Sequence, residues 1–187
     1  ISDKKGKLIN NFKNKKFSIF SFLQGKSKKK WLNIDCFNVG KTLALFHKVN
    51  MMNKTRVTND FSLDFWEQTF IKLKKKEIES IIPGAYTLLQ NEIKFIKNNW
   101  PKILPQGIIH ADLFPDNVFF KNKKLSGILD FYFSCHDFLV YDLAVTMNAW
   151  CFEKGIFNKS FSYNLLKGYE SIRVLKQIEK KYLNILL

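Results

Sequence analysis

Cysteine is scarce in this sequence: Cys36, Cys135 and Cys151 are scattered, odd in number and free of any CxxC spacing. That excludes a zinc ribbon or a disulfide framework as the device holding the fold. Buried, reduced thiols in a cytoplasmic protein are the expectation. Long apolar runs are missing too, and no stretch approaches the roughly 20 residues a membrane-spanning helix requires. The N-terminal ISDKKGKLINN has no apolar core of a secretory signal, and it lacks Met, so a fragment or processed piece of a longer protein is expected. Arginine is almost absent. Arg56 and Arg173 are the two in the chain, and lysine supplies the rest of a net charge of +15. Readers of nucleic acid favour Arg for bidentate contacts, and these lysines are spread along the whole chain, with short runs at 28–30 and 74–76. A solvated basic surface is therefore expected, with no specific nucleic-acid partner and no membrane. Nothing in the sequence indicates an oligomeric state.

What is present suffices for one domain. The 187 residues are 46% hydrophobic, enough to bury a core and too apolar for disorder. Two strands are expected over 7–12 and 16–23, joined by a polar Asn/Lys turn. Asn33 is the expected N-cap of a helix whose Cys36, Val39, Leu43 and Phe46 recur at helical spacing. A polar loop follows over 53–62. Trp66, Phe70, Leu73 and Ile81 mark a second helix stopped by Pro83 and Gly84, and Ala85, Leu88, Glu92, Ile96 and Trp100 mark a third, ended by Pro101. After Pro105 the texture changes: GIIH, NVFF and LSGILDFYF read as strands, with KNKK as a hairpin turn between the last two. LVYDLAVTMNAWCF, SFSYNLLKGYESI and VLKQIEKKYLNILL read as helices. The expected class is α+β: a small β piece leading into a mainly helical body with a hairpin-like insert.

The chemistry is concentrated in GIIHADLFPDNVFF, residues 107–120. Taken one at a time, its polar residues are bland. Asp112, Asp116 and Asn117 suit turns, and His110 suits a structural brace because its ring has two hydrogen-bonding nitrogens. Jointly, His110, Asp112 and Asn117 form H-x-D-x4-N between two apolar strands. In phosphoryl transfer, a carboxylate orients the attacking hydroxyl and accepts its proton. A neutral amide oxygen five residues on holds Mg²⁺ without adding negative charge, and a second carboxylate completes the metal site. Asp130, which ends the apolar Ile128-Leu129 and precedes Phe131, supplies that second carboxylate 18 residues after Asp112. Asp116 has no chemical role. Phe131, Tyr132, Phe133, Trp150 and Phe152 crowd the motif, mostly as core, with Tyr132 the one expected to face the site.

IIHADLFPDNVFF, followed by GILDFYF and YDLA, resembles the aminoglycoside phosphotransferase superfamily, small-molecule kinases with a protein-kinase-like fold. Residues 107–153 are similar almost throughout to its homoserine kinase branch, and FSFLQGK, VGKTLALFHKV and KGYESIR fit the same layout. The resemblance implies ATP-dependent phosphorylation of the L-homoserine hydroxyl, on the threonine pathway. Carried onto these positions, it makes Asp112 the catalytic base, Asn117 and Asp130 the Mg²⁺ ligands, and Asp142 of YDLA a structural brace of the loop beside His110. Phe22, Leu23 and Gln24 become the hinge that meets adenine. Residues 1–23 then read as the end of the N-terminal β lobe and hinge, and 24–187 as the helical C-terminal lobe, with the catalytic loop at 110–117 and the metal-binding segment at 128–133.

The departures are an absent phosphate-covering loop, ATP-contacting Lys and partner Glu before the hinge, and a C-terminus short of the family's final helices. The chain is thus expected to be an incomplete kinase that holds Mg²⁺ weakly and needs the missing lobe for turnover. For the substrate, Arg56 is the candidate clamp on the homoserine carboxylate, Asn59 its assistant, and Asp137 the partner of the ammonium. As plain structure, Arg56 is a surface loop residue and Asp137 a helix cap. The rival enzymes are choline/ethanolamine and aminoglycoside kinases. From another class, a non-catalytic pseudokinase or a basic nucleic-acid-binding module stands as the alternative.

Overall fold

The first strands are a hairpin with little beneath them. β1 (Asn10–Phe12) and β2 (Lys15–Phe17) pair antiparallel around Lys13 and Asn14, whose φ of 46° and 61° are those of a two-residue mirror-image turn. Both strands are shorter than 7–12 and 16–23. Ile9, Phe12, Phe17 and Phe20 are all exposed, so neither face is pinned by burial. The computed structural model describes residues 1–53 and 55–187; Lys54, within the polar loop expected over 53–62, lies outside the described residues.

Gly25, at φ 130°, lets the chain approach the later hairpin, where Lys26 exchanges backbone hydrogen bonds of 3.1 and 2.9 Å with Phe120. α1 (Asn33–Asn50) then begins one residue earlier than a cap at Asn33 requires. Asp35 does the capping: its Oδ2 accepts the Leu32 N–H at 2.9 Å, while Oδ1 takes Lys28 Nζ at 2.7 Å. A carboxylate in the first turn also suits the positive helix end. Asn33 instead accepts a hydrogen bond from Ser160 Oγ.

The single helix expected around Trp66 to Ile81 is two, α2 (Leu63–Lys72) and α3 (Lys75–Ile81), with Leu73 extended between them. Lys72, Lys74, Lys75 and Lys76 would crowd four like charges onto one turn of a continuous helix, which repels itself. α4 (Ala85–Asn99) follows Gly84, at φ 84°, and stops before Pro101 as expected.

β3 (Gln106–Ile109) leads into the 110–117 loop, and β4 (Val118–Lys121) and β5 (Lys124–Ile128) form the KNKK hairpin, turned by Asn122 and Lys123 at φ 51° and 64°. The strand expected to run through LSGILDFYF ends at Ile128, because Asp130 takes φ 58° and turns the chain. A strand without sequence signal follows: β6 (Cys135–Phe138) pairs antiparallel with β3, Ile109 opposite Cys135. α5 (Leu139–Trp150), a short hairpin of β7 (Phe152–Glu153) and β8 (Ile156–Phe157), α6 (Lys159–Glu170) and α7 (Gln177–Leu186) complete the chain. Among the described residues, no helix is long and apolar enough to cross a membrane.

The core is built on the crossing of α1 with α6. A Cβ at Gly40 would overlap the Leu165 carbonyl, and one at Gly168 would overlap the Phe37 carbonyl. Two backbones therefore touch, and α1 lays Cys36, Val39, Leu43 and Ala44 against Phe161, Leu165 and Tyr169. Gly168→Ala is expected to destabilise the protein by about 3 kcal/mol, the upper part of the usual cost of overpacking, read as a lower urea midpoint at unchanged slope; a shift under about 1 kcal/mol would mean the helices part freely.

Cys36, Cys135 and Cys151 are all buried, and desolvation pushes each thiol up to about 12. A neutral, covered thiol is a poor nucleophile. Ellman's reagent is expected to titrate none of the three in native protein and all three in guanidinium; a fast-reacting native thiol would contradict this.

Candidate active site

β3 carries the chain into the core and delivers His110, fully buried, at its end. Carbonyl oxygens only accept, so the 2.9 Å contact of His110 Nε2 with Leu129 O places the ring proton on Nε2. Nδ1 then accepts the Asp112 N–H at 3.2 Å. One neutral imidazole thus straps the loop to the residue preceding Asp130. The rings of Phe131 and Phe46 pack on it, with centroids 4.9 and 6.5 Å away.

Ala111 has φ 65°, a left-handed conformation that costs a residue with a Cβ roughly 1 kcal/mol. Asp142, in the first turn of α5 and fully buried, holds it there. Its Oδ2 accepts the His110 N–H and its Oδ1 the Ala111 N–H, both at 2.8 Å, and His47 Nε2 lies 2.9 Å from Oδ2. Burial alone would raise this carboxyl. The contact with His47 and the two backbone N–H groups outweigh burial and hold it below the ordinary aspartate value.

Pro115–Asn117 form a 3₁₀ turn that folds Asn117 back on Asp112. Its Nδ2 donates to Asp112 O at 2.8 Å and to Asp112 Oδ2 at 3.0 Å. One Asp112 oxygen is therefore fixed, leaving Oδ1 for a ligand. Burial raises the Asp112 carboxyl above its ordinary value; the Asn117 hydrogen bond opposes that, and the charges of Asp130 and Asp116 add to it. Asp116 itself is exposed.

Asp130 is exposed and at positive φ, and the residue before it is tied to the loop, the Leu129 N–H donating to Asn117 O at 2.8 Å. Among the described residues, no three His, Cys, Asp or Glu side chains cluster as a metal site. With Asn117 Nδ2 committed to Asp112, Asn117 Oδ1 and the Asp130 carboxylate are two hard oxygen donors. That sparse set fits Mg²⁺, which keeps waters and takes phosphate oxygens for the rest of its octahedron.

The other predicted residues fall into separate places. Asn59 and Asp137 meet: Asn59 Nδ2 donates to Asp137 Oδ2 at 2.7 Å, and Asp137 Oδ1 accepts the N–H of Phe138, the residue before α5. Arg56 is not joined to them; it is exposed, and its Nη1 reaches the carbonyls of Asn53 and Thr55 at 3.4 Å. Tyr132 is 85% exposed, stacked edge-on against Phe133. In the segment expected to be the hinge, Phe22 is exposed, Leu23 packs against Gly127, and Gln24 Oε1 accepts from Lys121 Nζ.

Trp150 is core as expected, and it also secures the loop, its Nε1–H donating to Leu113 O at 2.8 Å. The residue sequence reasoning missed is His47, one turn after Leu43 on the buried face of α1. A polar ring in an apolar row needs a buried partner, and that was the available signal.

A family model described as the phosphotransferase enzyme family matches residues 5–175. The chain is 39% identical over 182 residues to a homoserine kinase of Sinorhizobium medicae, covering 97% of this chain and 56% of the relative. It is 38% identical over 187 residues to a homoserine kinase of Phenylobacterium zucineum, covering 100% and 58%. The chain thus spans little more than half the length of these relatives. Among solved structures, the amicoumacin kinase hAmiN superposes with a TM-score of 0.67 at 14% identity, over 98% of this chain and 58% of that one. At that identity, the likeness speaks for the protein-kinase-like fold alone.

Proposed function

The chain belongs to the phosphotransferase enzyme family, and from that premise we propose that it is the catalytic-loop portion of an ATP-dependent, cytoplasmic kinase of L-homoserine. Its product would be O-phospho-L-homoserine for threonine biosynthesis. The observation that carries the reading is the Asp112 carboxylate, with one oxygen fixed by Asn117 and one left free, in a loop anchored by Asp142.

In this reading, Asp112 Oδ1 accepts the hydrogen bond of the homoserine hydroxyl and aims its oxygen at the γ-phosphorus. As the new P–O bond forms and the bond to ADP breaks, the proton passes to Asp112 and then to solvent. The raised Asp112 carboxyl suits a base that must also release that proton. Asn117 Oδ1 and Asp130 would hold Mg²⁺, which when bound neutralises the charge on the β- and γ-phosphates. Phe22, Leu23 and Gln24 offer backbone to adenine, with residues 1–23 as the end of the N-terminal lobe and hinge. Asp137, held by Asn59, takes the substrate ammonium. Arg56 takes the carboxylate, its two weak contacts at 3.4 Å leaving the guanidinium free to swing.

The deciding experiment incubates the whole gene product with Mg-ATP and homoserine, choline, kanamycin or 5-methylthioribose. Homoserine-dependent ADP release with O-phosphohomoserine as product is expected. Turnover of another acceptor in its place would refute the assignment. Robust turnover by the 187 residues alone would refute the need for further N-terminal structure. Within the assignment, Arg56→Lys is expected to raise the homoserine KM about ten-fold at near-constant kcat, the loss of one bidentate contact; an unchanged KM removes Arg56 from the site.

A further inference from the structure

The contact between His47 and Asp142 is not the end of a chain. His47 Nδ1 lies 2.7 Å from Tyr169 Oη, and Arg173 Nη1 donates to the same hydroxyl at 3.1 Å. Arg173 Nη2 pairs with Glu179 Oε1 at 2.8 Å, and Glu179 Oε2 accepts the Lys176 N–H just before α7. Tyr169 and Glu179 are wholly buried and the Arg173 side chain nearly so. The path therefore runs from α7, through α6 and α1, to the backbone of the catalytic loop.

Its two ends differ in kind. A guanidinium has donors only, and an ionised carboxylate has acceptors only. Between them stand one hydroxyl and one imidazole. If each donates toward Asp142, Arg173 gives to Tyr169, Tyr169 to His47 Nδ1, and His47 Nε2–H to Asp142, with every group satisfied. If His47 instead donated from Nδ1, Tyr169 would receive two hydrogens. Its own would then lack an acceptor, since His47 and Arg173 are its hydrogen-bond partners among the described residues. A buried orphan donor costs about 1–3 kcal/mol.

We propose that Tyr169, Arg173 and Glu179 are positioning residues of the catalytic loop, forming a one-way hydrogen-bond chain that fixes His47 as its neutral Nε2–H tautomer. Asp142 is thereby kept a full carboxylate, satisfied on one side and gripping the His110 and Ala111 N–H groups with both oxygens. Glu179 seats Arg173, so the docking of α7 is a condition for an ordered loop 60 residues or more away in sequence.

The test has two arms. In ¹⁵N-histidine-labelled chain at pH 7, the His47 signals are expected to show a protonated Nε2 and an unprotonated, hydrogen-bonded Nδ1. In Tyr169→Phe, Nδ1 should lose its donor and move to a free or partly protonated position. A wild-type His47 protonated on Nδ1 overturns the proposal without recourse to any variant. The second arm rests on the phosphoryl-transfer reading. In the whole gene product, Tyr169→Phe is expected to lower kcat about ten-fold with both KM values within about two-fold, the usual cost of removing a supporting partner. An unchanged kcat overturns the positioning role. A correct tautomer in a protein that phosphorylates none of the acceptors would support the chain of hydrogen bonds and refute the activity, so the two failures are distinguishable.

Discussion

Asp112→Asn in the whole gene product is expected to lower kcat for homoserine phosphorylation by about 10³-fold, within the range of a lost general base, with KM values and thermal midpoint little changed. The substitution is chosen because it separates two roles. As a turn former, Asn serves as well as Asp, and an amide oxygen at position 112 can still accept the Asn117 Nδ2 hydrogen bond that shapes the loop. A merely structural Asp112 would therefore tolerate the change. A base would not, because the amide can neither take the hydroxyl proton nor offer a charged acceptor at Oδ1. Initial rates at saturating Mg-ATP decide it. A variant retaining more than about a tenth of wild-type kcat would remove Asp112 from the chemistry.

The loop was legible because its chemistry is local. His110, Asp112 and Asn117 lie within eight residues, and a 3₁₀ turn suffices to bring Asn117 onto Asp112. The KNKK turn was legible for the same reason: two left-handed residues between two apolar strands. What long-range pairing decides was not. β6 exists because Cys135–Phe138 find the backbone of β3, and SCHDF has no alternation to announce it. His47 and Asp142 sit 95 positions apart; the resemblance marks Asp142 as a brace of the loop, but His47 looks like an isolated polar residue on an apolar helix until the two faces meet. The Asn33 cap failed against a competitor two residues on, since Asp35 reaches the Leu32 N–H and brings a full charge to the helix end. For the substrate residues, charge and residue type were legible, but neighbourhood was not: Asn59 and Asp137 come together over 78 positions, while Arg56, only three residues before Asn59, stays outside their contact.

Removing the carboxylate that the loop depends on is expected to produce the largest loss of stability. Asp142→Ala strands three donors at once, the His110 N–H, the Ala111 N–H and His47 Nε2–H, and empties a fully buried site. A buried donor left without its acceptor costs about 1–3 kcal/mol, and with three stranded at once a loss of about 3–5 kcal/mol is expected here. Left-handed Ala111 also loses its support, so turnover should fall together with stability. The pH dependence carries the sign that identifies the cause. The folded Asp142 carboxyl is held below the unfolded value, which is about 3.9. Its contribution is therefore fully present well above that value and is lost as pH falls through it toward the lower folded value. Urea unfolding of wild type and Asp142→Ala should differ most near neutral pH, and the difference should narrow in acid as the wild-type carboxylate takes up its proton. Asp142→Asn gives the complementary result: its one amide oxygen cannot serve both loop N–H groups and His47, and its NH₂ would face donors. It should be nearly as unstable as Asp142→Ala and lack the acid-dependent narrowing that ionisation provides in wild type. A wild-type-to-Ala difference that is flat with pH, or below about 1 kcal/mol at neutrality, would mean the loop is held by packing from Trp150 and Phe131 and not by this carboxylate.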